Sequence, residues 1–320
     1  MKAVFIEKTG GLDVLQYGDF PDPAPAAGEV LVDVAYSGVN FIDTYHRKGL
    51  YPLSLPAVIG SEAAGTVEAL GAGVEGFQVG DRVAYAMARG SYAEKHAVPA
   101  KVLVKVPENV ELRQAAAVML QGMTAHYLSH STFPLKPGHV ALVHAAAGGT
   151  GRLLVQMAAM AGARVIGTAG TPEKAELAKS AGASDVILYS EQDFLAEVKR
   201  TVGAVDVVYD SVGKETFLKG LDCLKPRGMM VSFGQSSGPV PAFEPLLLSQ
   251  KGSLFVTRPS LAQYVSPEEL KWRSGDLFKW IAEGKLQLRI DHEYPLPEAR
   301  AAQEHLEGRK TTGKLLLKTM

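Results

Sequence analysis

The chain has 320 residues, 47% of them apolar, with a formal net charge of −1 and a single cysteine, Cys223. That is enough apolar mass for a substantial core divided over two domains. The scattered, balanced charge argues against nucleic acid or an anionic membrane surface as the main partner. No apolar run reaches the ~20 residues that span a bilayer. The start, MKAVFIEKTGG, is too short in apolar residues for a secretory core, and one cysteine excludes an intrachain disulfide, so a reducing cytoplasm is the expected location.

In chain order, the first third alternates short β-rich runs with Gly and Pro punctuation: Ala3–Glu7, Glu29–Ser37, Gly65–Leu70, Arg82–Ala86, Ser91–Val98 and Lys101–Val106. From about Gln121 the rhythm becomes strand and helix in alternation, opening with a helix over Ala125–Ser131. Strands are expected at Val140–His144, Arg164–Thr168, Asp185–Tyr189, Val205–Ser211, Met229–Gly234 and Ser253–Thr257. Helices are expected between them at Arg152–Ala161, Pro172–Ala181, Glu191–Val202 and Glu215–Leu224. Six such strands make a complete doubly wound parallel sheet of the dinucleotide-binding, or Rossmann, kind. Helices around Pro267–Glu283 and Pro297–Glu307 and a last strand, Lys314–Leu317, return to the β-rich domain. The boundaries read as residues 1–121 with 260–320 for the β-rich domain and 122–259 for the Rossmann domain.

The decisive stretch is Val140–Leu154, VALVHAAAGGTGRLL, in which an apolar strand meets a small-residue turn and then a helix. Small residues let a backbone approach a pyrophosphate, and a helix N-terminus supplies N–H donors and positive dipole character. Ala146 stands where the first Gly of the G-x-G-x-x-G pattern belongs. At the end of the second strand, where an NAD site places an acid on the ribose, the chain reads Gly167-Thr168-Ala169-Gly170-Thr171-Pro172-Glu173-Lys174. The Thr171 hydroxyl and Lys174 ammonium suit a 2′-phosphate, which points to NADPH. Thr171 equally suits a plain helix cap before Pro172.

Beyond this turn, the segments Gly38–Tyr45, Gln121–Leu128, Asp206–Gly213, Phe233–Gly238 and Lys251–Ser260 resemble the quinone oxidoreductase family, the zeta-crystallin-like branch of the medium-chain dehydrogenases and reductases. The resemblance covers essentially the whole chain. It implies an α/β protein, a GroES-like β-rich domain joined to a six-stranded Rossmann domain, with nicotinamide and substrate in a cleft between them. It further implies a homodimer joined through the edge strand Ser253–Thr257. By position, Asn40, Asp43, Tyr45 and Tyr51 are the expected catalytic residues. The expected NADPH contacts are Asn40 and Thr124 at the ring, Ala147, Gly148 and Gly149 at the pyrophosphate, and Gly170, Thr171, Lys174 and Tyr189 at the adenosine end. Ser211, Phe233, Gly234, Ser236, Val256, Thr257 and Arg309 complete the set.

Zinc-dependent relatives place Cys where Asn40 stands and His where Ser61 stands; neither replacement is a good zinc ligand. His126 and His130, four apart on a helix, lack a third ligand nearby in sequence and read as a packing pair. Without a metal, reduction of a small quinone is the expected activity, because such an acceptor needs mainly alignment with the nicotinamide. Tyr45 or Tyr51 is a candidate hydrogen-bond donor to its oxygen, or a packing residue. Two other readings stand beside it: an enone or enoyl reductase, and an NADPH-binding protein with a regulatory or RNA-binding role.

Overall fold

The computed structural model describes residues 1–308 and 310–319. They fall into two units, Met1–Met123 with Val265–Met320, and Thr124–Tyr264.

The first unit is built on the long strand Glu29–Val39, whose β-branched residues Val30, Val32 and Val34 pack with Val67, Val83 and Tyr85. Lys95–Pro99 pairs with the first half of this strand and Lys314–Lys318 with the second. Across its other edge follow Glu62–Leu70, Arg82–Ala86 and Val104–Lys105, all antiparallel. Two register shifts against Glu62–Leu70, at Leu31/Val32 and Val34/Tyr36, are bulges that bend the strand. The register sets Leu315 opposite Val39, so Lys314 falls beside the strand's exit at Asn40. A second core joins Val4, Ile6, Val39, Tyr92, Leu315 and Leu317.

The second unit holds six parallel strands in the order Asp185–Leu188, Arg164–Ala169, Val140–Val143, Val205–Asp210, Leu224–Ser232, Phe255–Thr257. The winding reverses at Val140–Val143, the switch point of a Rossmann sheet. Leu142, Ile166, Val208 and Met230 give its core, and the helices Gly149–Met160, Pro172–Ser180, Phe194–Val202 and Phe217–Leu221 accompany it.

Several elements differ in extent from expectation, for local reasons. The helix expected from Glu191 begins at Phe194, because the Asp193 carboxylate accepts from Leu195 N and Ala196 N and fixes the cap there. The fifth strand begins at Leu224 rather than Met229; its pairing with Val205–Asp210 shifts register there, which accommodates Pro226. A full helix, Leu112–Tyr127, precedes a π-helical turn at Leu128–Thr132 where only Ala125–Ser131 was expected. Ala115–Met119 is buried throughout, so no alternation of apolar and polar residues marks this part of the helix. Gly122 within it is a packing residue: a Cβ there would lie 2.6 Å from Val118 and 3.1 Å from Leu277. Among the described residues no helix is long and apolar enough to cross a membrane.

Candidate active site

In the second unit, Val140–Val143 leads into a turn where Ala145 takes a left-handed φ of 52°. Gly148 N–H closes the turn on the Ala145 carbonyl at 2.9 Å, and a 12-residue helix starts at Gly149. A Cβ at Gly151 would collide with the Ala145 carbonyl, so this glycine sets the close approach of helix to turn. Ala146 is tolerated in the first-glycine place because Gly167 faces it; a Cβ at Gly167 would lie 2.8 Å from the Ala146 methyl. No side chain caps the helix. Its first-turn N–H groups after Gly148 therefore keep the donors and dipole that a pyrophosphate requires, and the residues present fit that group.

At the end of the neighbouring strand, Ala169-Gly170 carries no acid where one would contact a ribose. The Tyr189 side chain lies over Gly170: a Cβ there would be 2.5 Å from the tyrosine hydroxyl, and Tyr189 is 56% exposed. Thr171 caps Pro172–Ser180, its Oγ accepting from Lys174 N at 3.3 Å. A hydrogen bond with Thr171 holds the exposed Glu173 carboxyl below its usual range. Thr171 is thus the cap of a helix that starts beside Gly170 and Tyr189.

On the other side of the switch point, Asp210 Oδ1 accepts from Val212 N at 2.7 Å, Gly213 N at 3.0 Å and Thr216 Oγ at 2.8 Å, which builds the turn after the fourth strand. Phe233 N donates to the Asp210 carbonyl and Ser236 N to the Ser211 carbonyl, and Gly234 lies so close to Ser211 that a Cβ would touch its backbone. Ser211, Phe233, Gly234 and Ser236 are thereby brought together. Val256 and Thr257 pair with Met230 and Val231 in the edge strand, while Thr124 lies on the helix Leu112–Tyr127. Arg309 lies outside the described residues. His144 Nε2, Asp210 Oδ2 and Ser232 Oγ, at the carboxyl ends of three adjacent strands, are buried with no hydrogen-bond partner among the described residues.

In the first unit, Asn40 leaves the long strand into the helix Phe41–Arg47 and is 4% exposed. Its Nδ2 donates to Glu62 Oε2 at 2.8 Å and to the Gly38 carbonyl at 3.2 Å, and its Oδ1 accepts from Lys314 Nζ at 2.8 Å. Lys314 also pairs with Glu62, both side chains being buried, and Glu62 Oε1 accepts from Leu120 N at 2.5 Å. Gly38 is required here, since a Cβ would run into Glu62 and Lys314. Asp43, fully buried, accepts from Asn40 N at 2.9 Å, Ser61 Oγ at 2.8 Å and the Tyr92 hydroxyl at 3.0 Å. Burial pushes its carboxyl up to about 6, against the pull of Ser61, Asn40, Tyr92 and Lys314. Burial and then the Asp43 charge push the Tyr92 phenol well above its ordinary value.

Both polar ends of the Asn40 amide are engaged, and the Ser61 hydroxyl is spent on Asp43. The Lys314 ammonium sits within hydrogen-bond reach of Asn40 and Glu62. A cation already in place repels a second, so this cluster does not fit zinc. Among the described residues no group of three or more His, Cys, Asp or Glu is arranged to hold a metal ion.

Tyr45 and Tyr51 meet edge to face with centroids 5.8 Å apart, Phe41 lies 6.4 Å from Tyr45, and Tyr51 is 37% exposed. Sequence reasoning missed Glu62, Tyr92 and Lys314. Glu62 lies next to the Ser61 singled out for what it is not, and Lys314 reads as the polar start of an apolar strand.

Residues 26–108 match the family described as alcohol dehydrogenase GroES-like domain, and residues 149–271 that described as zinc-binding dehydrogenase. The chain is 47% identical to quinone oxidoreductase 1 of Escherichia coli strain K12 over 97% of both chains. It is 44% identical to a 2-haloacrylate reductase of a Burkholderia species over 98% of both. The crystal structure of the Escherichia coli quinone oxidoreductase complexed with NADPH superposes with a TM-score of 0.97 at 46% identity, covering 99% of this chain and 100% of that one. With the GroES-like and Rossmann folds in place and identity of this level over nearly the whole length, the chain belongs to the quinone oxidoreductase family.

Proposed function

We propose that the protein is an NADPH-dependent reductase of small quinones that works without a metal. The observation that carries this reading is the pair of phosphate-suited elements on the Rossmann sheet: the uncapped helix at Gly148–Gly149, and the acid-free strand end at Gly170 followed by Thr171 and Lys174. Ala147, Gly148 and Gly149 hold the pyrophosphate; Gly170, Thr171, Lys174 and Tyr189 take the adenosine ribose and its 2′-phosphate. Thr124, Ser211, Phe233, Gly234, Ser236, Val256 and Thr257 contact the rest of the cofactor. When bound, NADPH supplies the hydride.

On the first unit, the exposed edge of Tyr51 with Tyr45 and Phe41 offers an aromatic corner against which the acceptor packs and a phenol to hydrogen-bond its oxygen. Asn40 and Asp43, their polar atoms engaged by neighbours, act as positioning residues that fix the start of Phe41–Arg47 and so the tyrosines on and after it. Tyr51→Phe and Asn40→Ala are each expected to lower quinone turnover about tenfold or more, at least ~1.4 kcal/mol of transition-state stabilisation, while NADPH affinity changes far less. Cofactor dissociation and turnover measured on the same variants check this; normal turnover in both would make these residues packing groups.

Metal independence has its own test. Chelation should leave the rate unchanged, since Asn40 and Ser61 are spent and Lys314 fills the cation's place; a loss restored by zinc would contradict it. The homodimer is proposed through Phe255–Thr257, the edge of the six-stranded sheet, where Phe255 is 57% exposed. Phe255→Lys should shift sedimentation from dimer to monomer. The buried lone thiol, Cys223, suits a cytoplasmic protein. An enone reductase is the second reading, favoured by the similarity to the 2-haloacrylate reductase, and the two differ in which substrate panel oxidises NADPH.

A further inference from the structure

Apart from every residue assigned to cofactor or acceptor, the first unit carries a groove of about 680 Å³ between the helix Pro267–Ala282 and residues 101–109. Its buried floor is Leu103, Leu270 and Phe278. Ser274, also buried, spends its hydroxyl on the Leu270 carbonyl at 2.7 Å, so the floor asks for hydrocarbon. The rim is basic: Lys101, Lys105, Lys271 and Lys279 against one carboxylate, Glu283. Lys105 is paired with Asp81 at 2.7 Å, whereas Lys101 and Lys271, on opposite walls, have no carboxylate partner among the described residues.

A second observation marks the same place. Gly275 stands in the middle of the groove's helix, where glycine is costly, and a Cβ there would meet nothing within 4 Å. No close packing demands this glycine, and a bulky side chain at this place would stand in the groove.

We propose that this groove binds a free long-chain carboxylate, its hydrocarbon on the Leu103–Leu270–Phe278 floor and its charge taken by the unpaired rim lysines. The volume is that of a small-molecule site. The helix wall from Leu270 to Ala282 runs about 18 Å, which suits an extended chain. A floor without free donors or acceptors disfavours nucleotides and sugars, and an apolar floor disfavours an inorganic anion. The proposal is independent of the reductase reading, since no residue is shared.

Titration of the full chain with the fluorescent fatty acid cis-parinarate, with oleate as competitor, tests it. One site per chain is expected, saturating NADPH should leave the affinity unchanged, and oleyl alcohol should compete about tenfold less well than oleate. Gly275→Leu fills open space and should abolish binding, whereas Gly275→Ala should keep it; thermal midpoints report whether both fold. Lys101→Glu combined with Lys271→Glu, on the surface, should weaken binding about tenfold or more and carries the test if Gly275→Leu is unstable. Unchanged affinity in the folded Gly275→Leu protein or in the charge variant would overturn the proposal. So would competition by NADPH, several weak sites per chain, or binding to phosphatidylserine vesicles without uptake of monomeric oleate.

Discussion

Lys314→Met is expected to lower the free energy of unfolding by about 3–5 kcal/mol at neutral pH, the cost of leaving one member of a buried ion pair without the other. The Lys314 and Glu62 side chains are 3% and 0% exposed, so water cannot replace the lost ammonium. Glu62 would keep the Asn40 amide and the Leu120 N–H but no countercharge. The double change Glu62→Gln with Lys314→Met should recover much of the loss, because a neutral amide in the same space needs no cation. Denaturant unfolding of the two variants and the parent is the check. A single variant as stable as the parent would mean that the pair contributes nothing and that Asn40 is held by other means. Turnover should fall with Lys314→Met as well, since Asn40 Oδ1 loses its donor.

Lys174→Glu is expected to weaken NADPH binding by about 1.5–3 kcal/mol, the scale of a charge-assisted hydrogen bond replaced by repulsion. The same change should leave NADH nearly unaffected, because only NADPH carries the 2′-phosphate. The setting is favourable for an anion: Lys174 lies in the first turn of Pro172–Ser180, whose N-terminal dipole adds to the ammonium. Glu173 works against it from the same turn, so Glu173→Gln should tighten NADPH modestly in the same titration. Equal loss for both cofactors in Lys174→Glu would show that the substitution perturbs the loop rather than a phosphate contact.

The Rossmann sheet was legible because its strands are buried on both faces and appear as short apolar runs such as Val140–Val143 and Val205–Asp210, separated by helices with apolar spacing. The edges of the β-rich unit were not. Gln16–Asp19 is short and largely solvated, Ile290–Pro295 is short, polar and only partly buried, and neither stands out before their partners Lys2–Ile6 and Lys314–Lys318 are in place. The same contrast holds for the site. The phosphate turn is one contiguous stretch whose physics is local. The Glu62–Lys314 pair joins residues 252 apart, and the Asp43–Tyr92 bond residues 49 apart. Both exist only once the register of Glu29–Val39 against its neighbours is fixed. Ala146 in a glycine's place is likewise explained only by Gly167 across the sheet.

The most direct measurement is the rate of NADPH oxidation by chelator-treated protein across benzoquinones, naphthoquinones and enones, repeated with NADH. Fast turnover of quinones with NADPH, much slower turnover with NADH and weaker activity on enones is the expected pattern. Turnover of enones alone, equal use of the two cofactors, or activity that returns only with added zinc would contradict it.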